Sequence, residues 1–144
     1  MQEVFIVSMA RTPIGALSST LSGLNVIELG KTVVKAAMER AGVNGDQIDE
    51  VYLGNVLQAN VGQAPAQQVS IAAGINTKTP CTTINKVCAS GMKAIMLGAQ
   101  SIMLGDNHIV VVGGMESMSN APHYLPSGRT GIRYGNGEIL DAIS

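Results

Sequence analysis

The residue best suited to covalent chemistry in this sequence is Cys88, within the stretch NKVCASGMKA. A β-branched run precedes it and a helical pattern follows, which predicts that Cys88 lies at or just before a helix N-terminus. Unpaired backbone N–H groups and the positive end of the helix dipole favour a thiolate there. Ala89, Ser90 and Gly91 carry little bulk. A substrate carbonyl could therefore approach the sulfur, and backbone N–H groups could hold the developing oxyanion.

The structural interpretation of Cys88 stays open, because free cysteines are among the residues most often buried for packing alone. Cys81 has no comparable surroundings and is interpreted as a core residue or as lining of a substrate pocket. The two could form a disulfide in principle, but two cysteines in 144 residues favour a reducing compartment. No metal site is expected, since His108 and His123 are scattered and no CxxC pair occurs.

The composition is that of a folded domain without a strongly charged partner. Apolar residues make up 46% and charged residues 13% of the chain, which is typical of a globular protein. The net charge of −1 gives no electrostatic basis for binding nucleic acid or an anionic membrane. No apolar stretch is expected to approach the roughly 18 residues of a membrane span, and the N-terminal MQEVFIV has no pattern of a targeting segment.

The hydrophobic pattern predicts the elements that must position Cys88. VFIVS, residues 4–8, predicts a buried strand that ends at the turn from Arg11 to Gly15. Asn25 and Glu28 have the spacing of a capping box and predict a helix that ends at Gly42. The remaining pattern predicts a strand over 50–57, a helix from Pro65 to Gly74, a strand over 81–87, a helix from Ser90 to Gly105 and a strand over 108–114.

Alternating strands and helices predict an α/β fold with βαβ units and a mixed, mostly parallel sheet. On the helix after Cys88, a stripe that includes Met92, Ile95 and Met96 has helical spacing and is interpreted as core. From Glu116 onward glycines, prolines and polar residues follow without a period. Residues 1–115 are therefore predicted to form the core, and residues 116–144 to begin an excursion from the sheet.

Four blocks of this sequence resemble the N-terminal part of the thiolases, most closely the acetyl-CoA acetyltransferase type found in mitochondria. The blocks occur in the family's order and spacing over essentially the whole chain. They are RTPIG from Arg11, GNVLQANVGQAPAQQ from Gly54, NKVCASGMKAI around Cys88 and GGMESMSNAPH from Gly113.

The resemblance implies a thiolase fold, in which two similar halves form a layered αβαβα body and a loop domain is inserted in the first half. Residues 1–115 would then be the N-terminal core half and residues 116–144 the start of the loop domain. It also implies homo-oligomers, dimers or tetramers, and a mitochondrial location. Without the resemblance, a cytoplasmic location is expected.

The resemblance further implies that Cys88 takes an acyl group from acyl-CoA as a thioester. Two acetyl-CoA would condense to acetoacetyl-CoA, with release of CoA, or a 3-ketoacyl-CoA would undergo thiolysis. Coenzyme A thioesters are then substrates, and no bound cofactor is expected. A thioester intermediate divides one difficult step into two easier ones.

Three functional blocks of the family have no match here: a GHP block with the activating histidine, a CxG block with a second cysteine, and an NEAF block with an oxyanion-binding asparagine. His108, His123 and Cys81 do not match them. The sequence is therefore interpreted as an incomplete portion of a thiolase. Two alternatives remain open: a non-catalytic α/β binding or assembly module, and a condensing enzyme similar to the ketoacyl synthases that acts on carrier-protein thioesters.

Overall fold

A computed structural model describes residues 2–144. The elements are α1 (Val26–Ala41), β1 (Glu50–Gly54), α2 (Pro65–Ala72), β2 (Cys81–Ile84), α3 (Ser90–Leu104), β3 (Val110–Gly114), β4 (His123–Tyr124) and β5 (Leu140–Asp141). The centre is a three-stranded sheet in the order β2-β1-β3, in which both strand pairs are parallel. A separate antiparallel ribbon pairs β4 with β5. The α/β class and the predicted alternation from β1 to β3 are confirmed, and the antiparallel pairing lies outside the central sheet.

The register of the sheet brings the carboxyl ends of all three strands to one edge. Gly54, the last residue of β1, lies level with Ile84 of β2 and with Gly114 of β3. β1 is the central strand, and its Val51 and Leu53 are buried in the main core. Residues that follow the three strands therefore share one edge of the sheet, the usual place for ligand sites in parallel α/β folds.

Helix α1 begins and ends as predicted. The side chain of Asn25 accepts from Glu28 N and the Glu28 carboxylate accepts from Asn25 N, both at 2.9 Å. Gly42 ends the helix in the left-handed conformation, with φ +68°, which glycine adopts without steric cost. Both ends are specified by residues within one turn, so the sequence pattern was sufficient to predict them.

Helix α3 packs on the sheet through its small residues, so the prediction that the Met stripe is core was wrong for this chain. The buried positions are Ser90, Ala94, Gly98 and Ser101. A Cβ on Gly98 would overlap the Val112 side chain of β3. Because the helix lies so close to the sheet, longer side chains must point away from it, and Met92 is 68% exposed.

The apolar stretch that contains α3 is longer than the sequence analysis predicts. Val87–Leu104 is long and apolar enough to cross a membrane by length and composition, with mean hydropathy 1.4 over 18 residues. The sequence had led us to expect no such stretch. Since α3 packs against β3 and β1, the signal is the one that a core helix of an α/β fold also produces.

The N-terminal segment differs most from its prediction. Residues 4–8 belong to no strand, and Phe5, Ile6 and Val7 are 72, 76 and 75% exposed. The segment is tethered by single hydrogen bonds, from Gln2 N to Met103 O and from Arg40 to Met9 O. A β-branched run favours extended backbone, but a strand also needs a neighbour to pair with, and residues 2–144 supply none to this run.

The three paired strands are shorter than predicted because side chains bind the backbone N–H groups at their ends. Glu116 accepts from Val56 N and Leu57 N after β1. Ser90 Oγ accepts from Lys86 N after β2, and Asp49 Oδ2 accepts from His108 N and Ile109 N before β3. These donors also lower the pKa of the Asp49 carboxyl. The ladder of each strand therefore ends where a side-chain acceptor takes the place of the neighbouring strand.

Candidate active site

A cavity of about 520 Å³ lies at the carboxyl edge of the sheet, and Cys88 forms part of its wall. Its other walls come from the segments that follow β1 and β3, from the first turn of α3 and from Ile143 near the end of the chain. The lining residues are Gly54, Asn55, Val56, Leu57, Val87, Cys88, Ser90, Gly91, Gly114, Met115, Glu116, Met118 and Ile143. The predicted nucleophile thus lies where the three strand ends meet.

Cys88 occupies a tight turn between β2 and α3. The helix begins at Ser90 with Ala89 as its N-cap residue, which confirms the predicted place of Cys88 just before a helix N-terminus. Val87 has φ +51°, a left-handed conformation that costs a β-branched residue about 1–3 kcal/mol. The turn exposes Cys88. Gly91, in the first turn of α3, also lines the cavity, and the N–H groups of a first helical turn lack intrahelical acceptors.

The hydroxyl group of Ser90 holds this turn closed. Its Oγ accepts from Lys86 N at 2.8 Å and donates to the carbonyl oxygen of Val87. Val87 N donates to Asn85 Oδ1 at 3.0 Å. The sequence pattern predicts only that Ser90 is small, and it does not indicate the hydrogen bonds by which the hydroxyl group fixes the turn.

Glu116 and Asn55 are the other residues of this site to which the sequence patterns assigned no role. Glu116 Oε1 accepts from Asn55 Nδ2 at 2.7 Å and from Leu57 N at 3.2 Å, and Oε2 accepts from Val56 N at 2.9 Å. Their positions in the sequence could have indicated a role, because Asn55 directly follows β1 and Glu116 follows β3 by two residues. Polar residues after neighbouring parallel strands meet at one edge.

Cys81 lies apart from this site. It begins β2, whereas Cys88 follows the other end of that strand, and both cysteines are free. Its Sγ donates to Thr79 O at 3.3 Å, and it packs against the hydrophobic core. Burial raises the pKa of the Cys81 thiol. Of the two interpretations of Cys81, core residue and pocket lining, the structure supports the first.

The two histidines are exposed and neither lines the cavity. His108 precedes β3, and His123 lies in β4. Within the part of the chain that the structure describes, no group of three or more His, Cys, Asp and Glu side chains could hold a metal ion. Cys88 and Glu116 are the titratable residues among those that line the cavity.

The two cysteines are expected to differ in their rates of alkylation. Cys88 is exposed, whereas Cys81 is partly buried and its raised pKa leaves less thiolate at neutral pH. Iodoacetamide should therefore modify Cys88 several-fold faster at pH 7, as measured by peptide mapping. The difference between the two alkylation rates should become smaller as pH rises, because the thiolate fraction of Cys81 then increases. The two rates should become equal in guanidinium chloride. Equal rates in the folded protein would contradict this assignment.

This chain is similar to known proteins in both sequence and fold. A family profile described as thiolase, N-terminal domain, matches residues 4–144. A cytosolic acetyl-CoA acetyltransferase of Gibberella zeae is 54% identical over 140 residues, which are 97% of this chain and 35% of that protein. A mitochondrial acetyl-CoA acetyltransferase of Xenopus tropicalis is 54% identical over 143 residues, 99% of this chain and 34% of that protein.

A similar fold occurs in the crystal structure of a thiolase from Ascaris suum in complex with coenzyme A. The TM-score is 0.95 at 47% identity, and the match covers 99% of this chain and 37% of that one. This chain thus spans about a third of the length of the relatives that it matches. Those relatives include both cytosolic and mitochondrial proteins.

Proposed function

Because this chain belongs to the thiolase family, whose N-terminal domain matches residues 4–144, we propose that it carries the acyl-accepting part of an acetyl-CoA acetyltransferase site. The observation that carries the proposal is the place of Cys88, exposed in a turn that lines the cavity at the carboxyl edge of the sheet. Relatives named acetyl-CoA acetyltransferases and a thiolase bound to coenzyme A support CoA thioesters as substrates.

In the proposed reaction the Cys88 thiolate attacks the carbonyl carbon of acetyl-CoA. A bond forms between that carbon and Cys88 Sγ, and the bond to the CoA sulfur breaks, so CoA leaves as a thiolate that takes up a proton. First-turn N–H groups of α3, beside Gly91, are placed to stabilise the oxyanion of the tetrahedral intermediate. The enolate of a second acetyl-CoA then attacks the thioester, which releases Cys88 and forms acetoacetyl-CoA. Thiolysis is the reverse.

The cavity walls supply the nucleophile but no free base. Glu116 is the only carboxylate among the lining residues, and its oxygens accept from three N–H donors. The acid–base chemistry of the condensation therefore has to come from other groups. In the family these belong to blocks that this sequence does not match, so we assign acyl transfer to Cys88 and the condensation to a complete site.

We also propose that residues 1–115 form the N-terminal core half and residues 116–144 the start of the loop domain. The end of β3 at Gly114 supports this division, because short 3₁₀ turns and the β4–β5 ribbon follow it. The resemblance further supports a mitochondrial location and a homo-oligomeric assembly, a dimer or tetramer, in the complete protein.

Brief exposure to acetyl-CoA tests the function directly. We expect intact mass to show one acetyl group, peptide mapping to place it on Cys88, and Cys88→Ala to abolish it. Cys81→Ala is the matched control and should be acetylated like the unsubstituted chain. Acetylation of Cys81 instead, or no acetylation together with slow alkylation of Cys88, would reject the proposal and favour a non-catalytic α/β module.

A further inference from the structure

The carboxylate of Glu116 connects two of the three strand ends that form the cavity. Glu116 follows β3, and all of its donors lie in the segment Asn55–Leu57 that follows β1. Two of the donors are the consecutive backbone N–H groups of Val56 and Leu57, an arrangement that forms a concave site for an anion. The segment after β1 is thus folded around the Glu116 carboxylate.

Asn55 links this carboxylate to the rest of the sheet edge. Its side chain is 1% exposed, and Nδ2 donates to Glu116 Oε1 at 2.7 Å and, at 3.4 Å, to Met115 O. Its backbone N–H donates to Ile84 O at the end of β2. A flipped amide would turn Oδ1 toward the carboxylate and the carbonyl oxygen, so Glu116 fixes the orientation of the amide.

The unpaired side-chain oxygen of Asn55 indicates that the contact between Asn55 and Glu116 does not serve stability alone. Oδ1 is buried and has no hydrogen-bond partner among residues 2–144. A buried acceptor without a donor loses its hydrogen bonds to water and gains none in return, which destabilises the folded state. Such unsatisfied groups are rare in native proteins and call for a specific reason. Asn55, which carries this oxygen, lines the Cys88 cavity.

The segment held by Glu116 is also in contact with the turn that carries Cys88. Gly54, the residue before Asn55, packs against the first turn of α3, where a Cβ on Gly54 would lie 2.6 Å from the carbonyl carbon of Ser90. A displacement of this segment would therefore change both the cavity wall and the position of Cys88.

We propose that Glu116 is a positioning residue for acyl transfer: it fixes Asn55–Leu57 as the wall against which an acyl group on Cys88 is placed. This inference rests on the proposed function and deepens it. Glu116 acts through the Asn55 amide and two backbone N–H groups, without touching the reacting atoms. All three partners are donors, so a carboxylate satisfies them, whereas a glutamine would turn its own NH₂ group toward at least one of them.

The test compares Glu116→Gln with Glu39→Gln, which removes the same charge at an exposed position of α1. Acetyl transfer needs a correctly placed carbonyl, whereas iodoacetamide needs only an accessible thiolate. We expect Glu116→Gln to slow acetyl transfer to Cys88 by about 10–100-fold, to speed hydrogen exchange at Val56 and Leu57, and to keep alkylation of Cys88 within about twofold. Glu39→Gln should match the unsubstituted chain in all three measurements.

The outcomes separate this inference from the function on which it rests. Equal acetyl transfer in Glu116→Gln and the unsubstituted chain would overturn the positioning role and leave the proposed function standing. No acetylation of the unsubstituted chain, together with slow alkylation of Cys88, would reject the proposed function, and the positioning role with it. If Glu116→Gln does not fold, Glu116→Asp replaces it. Its shorter side chain cannot reach all three donors, so undiminished acetyl transfer in that variant would equally overturn the inference.

Discussion

Replacement of Gly54 by alanine is expected to remove most acetyl transfer to Cys88 and to lower the free energy of unfolding by about 1–3 kcal/mol. The added Cβ would lie 2.6 Å from the carbonyl carbon of Ser90 and 2.7 Å from Gly91 N. Both are backbone atoms, which cannot rotate aside as the end of a side chain can. The first turn of α3 must move instead, and the Cys88 turn moves with it. Acetylation by acetyl-CoA and urea unfolding measure the two effects.

Gly23→Ala is the matched control for this substitution. A Cβ on Gly23 would meet no atom within 4 Å, so this variant should unfold and react like the unsubstituted chain. Unchanged acetyl transfer in Gly54→Ala would show that the reactivity of Cys88 does not depend on the close approach of α3 to β1. An equal loss in both glycine variants would point to a general effect of alanine on the backbone.

Self-association of this chain is the second large effect that we expect. Two apolar surfaces are exposed, one at Phe5–Val7 and one on α3 at Met92, Ile95 and Met96. Contiguous apolar surface of this kind drives association at about micromolar concentration. Met92→Lys combined with Met96→Glu should reduce association, because it places charge on that surface. It should leave stability nearly unchanged, since Met92 is 68% exposed and Met96 49%. Light scattering over a concentration series measures the association.

Tyr134→Ser provides the comparison, since Tyr134 is 99% exposed and lies outside both surfaces. It should leave the concentration dependence of scattering unchanged. A monodisperse monomer of the unsubstituted chain would contradict the prediction.

Local chemistry explains which parts of the fold could be predicted. The ends of α1 follow from Asn25, Glu28 and Gly42, and each of these acts within one helical turn. The place of Cys88 follows from the change of period between β2 and α3, which lie next to each other in the chain. In both cases a short stretch of sequence contains all of the interacting groups, so its pattern is sufficient.

Two predictions were wrong, the strand over residues 4–8 and the core stripe of α3, because strand pairing and helix packing depend on distant parts of the chain. Residues 4–8 have the composition of a strand, but a strand depends on a neighbour elsewhere in the chain. The apolar stripe of α3 has helical spacing, yet the closeness of the sheet at Gly98 selects the face of small residues for burial. Hydrophobic spacing predicts that a helix has an apolar face, but it does not say which element will cover that face.

The α/β class, the resemblance to the thiolases and the candidate nucleophile Cys88 could be predicted from the sequence, because they depend on local patterns and residue types. The surroundings of Cys88 depend on how distant segments pack together. Asn55 and Glu116 are separated by 61 residues, and they meet because parallel pairing brings the ends of β1 and β3 to one edge. No local pattern encodes that contact, since it exists only once the strands have aligned.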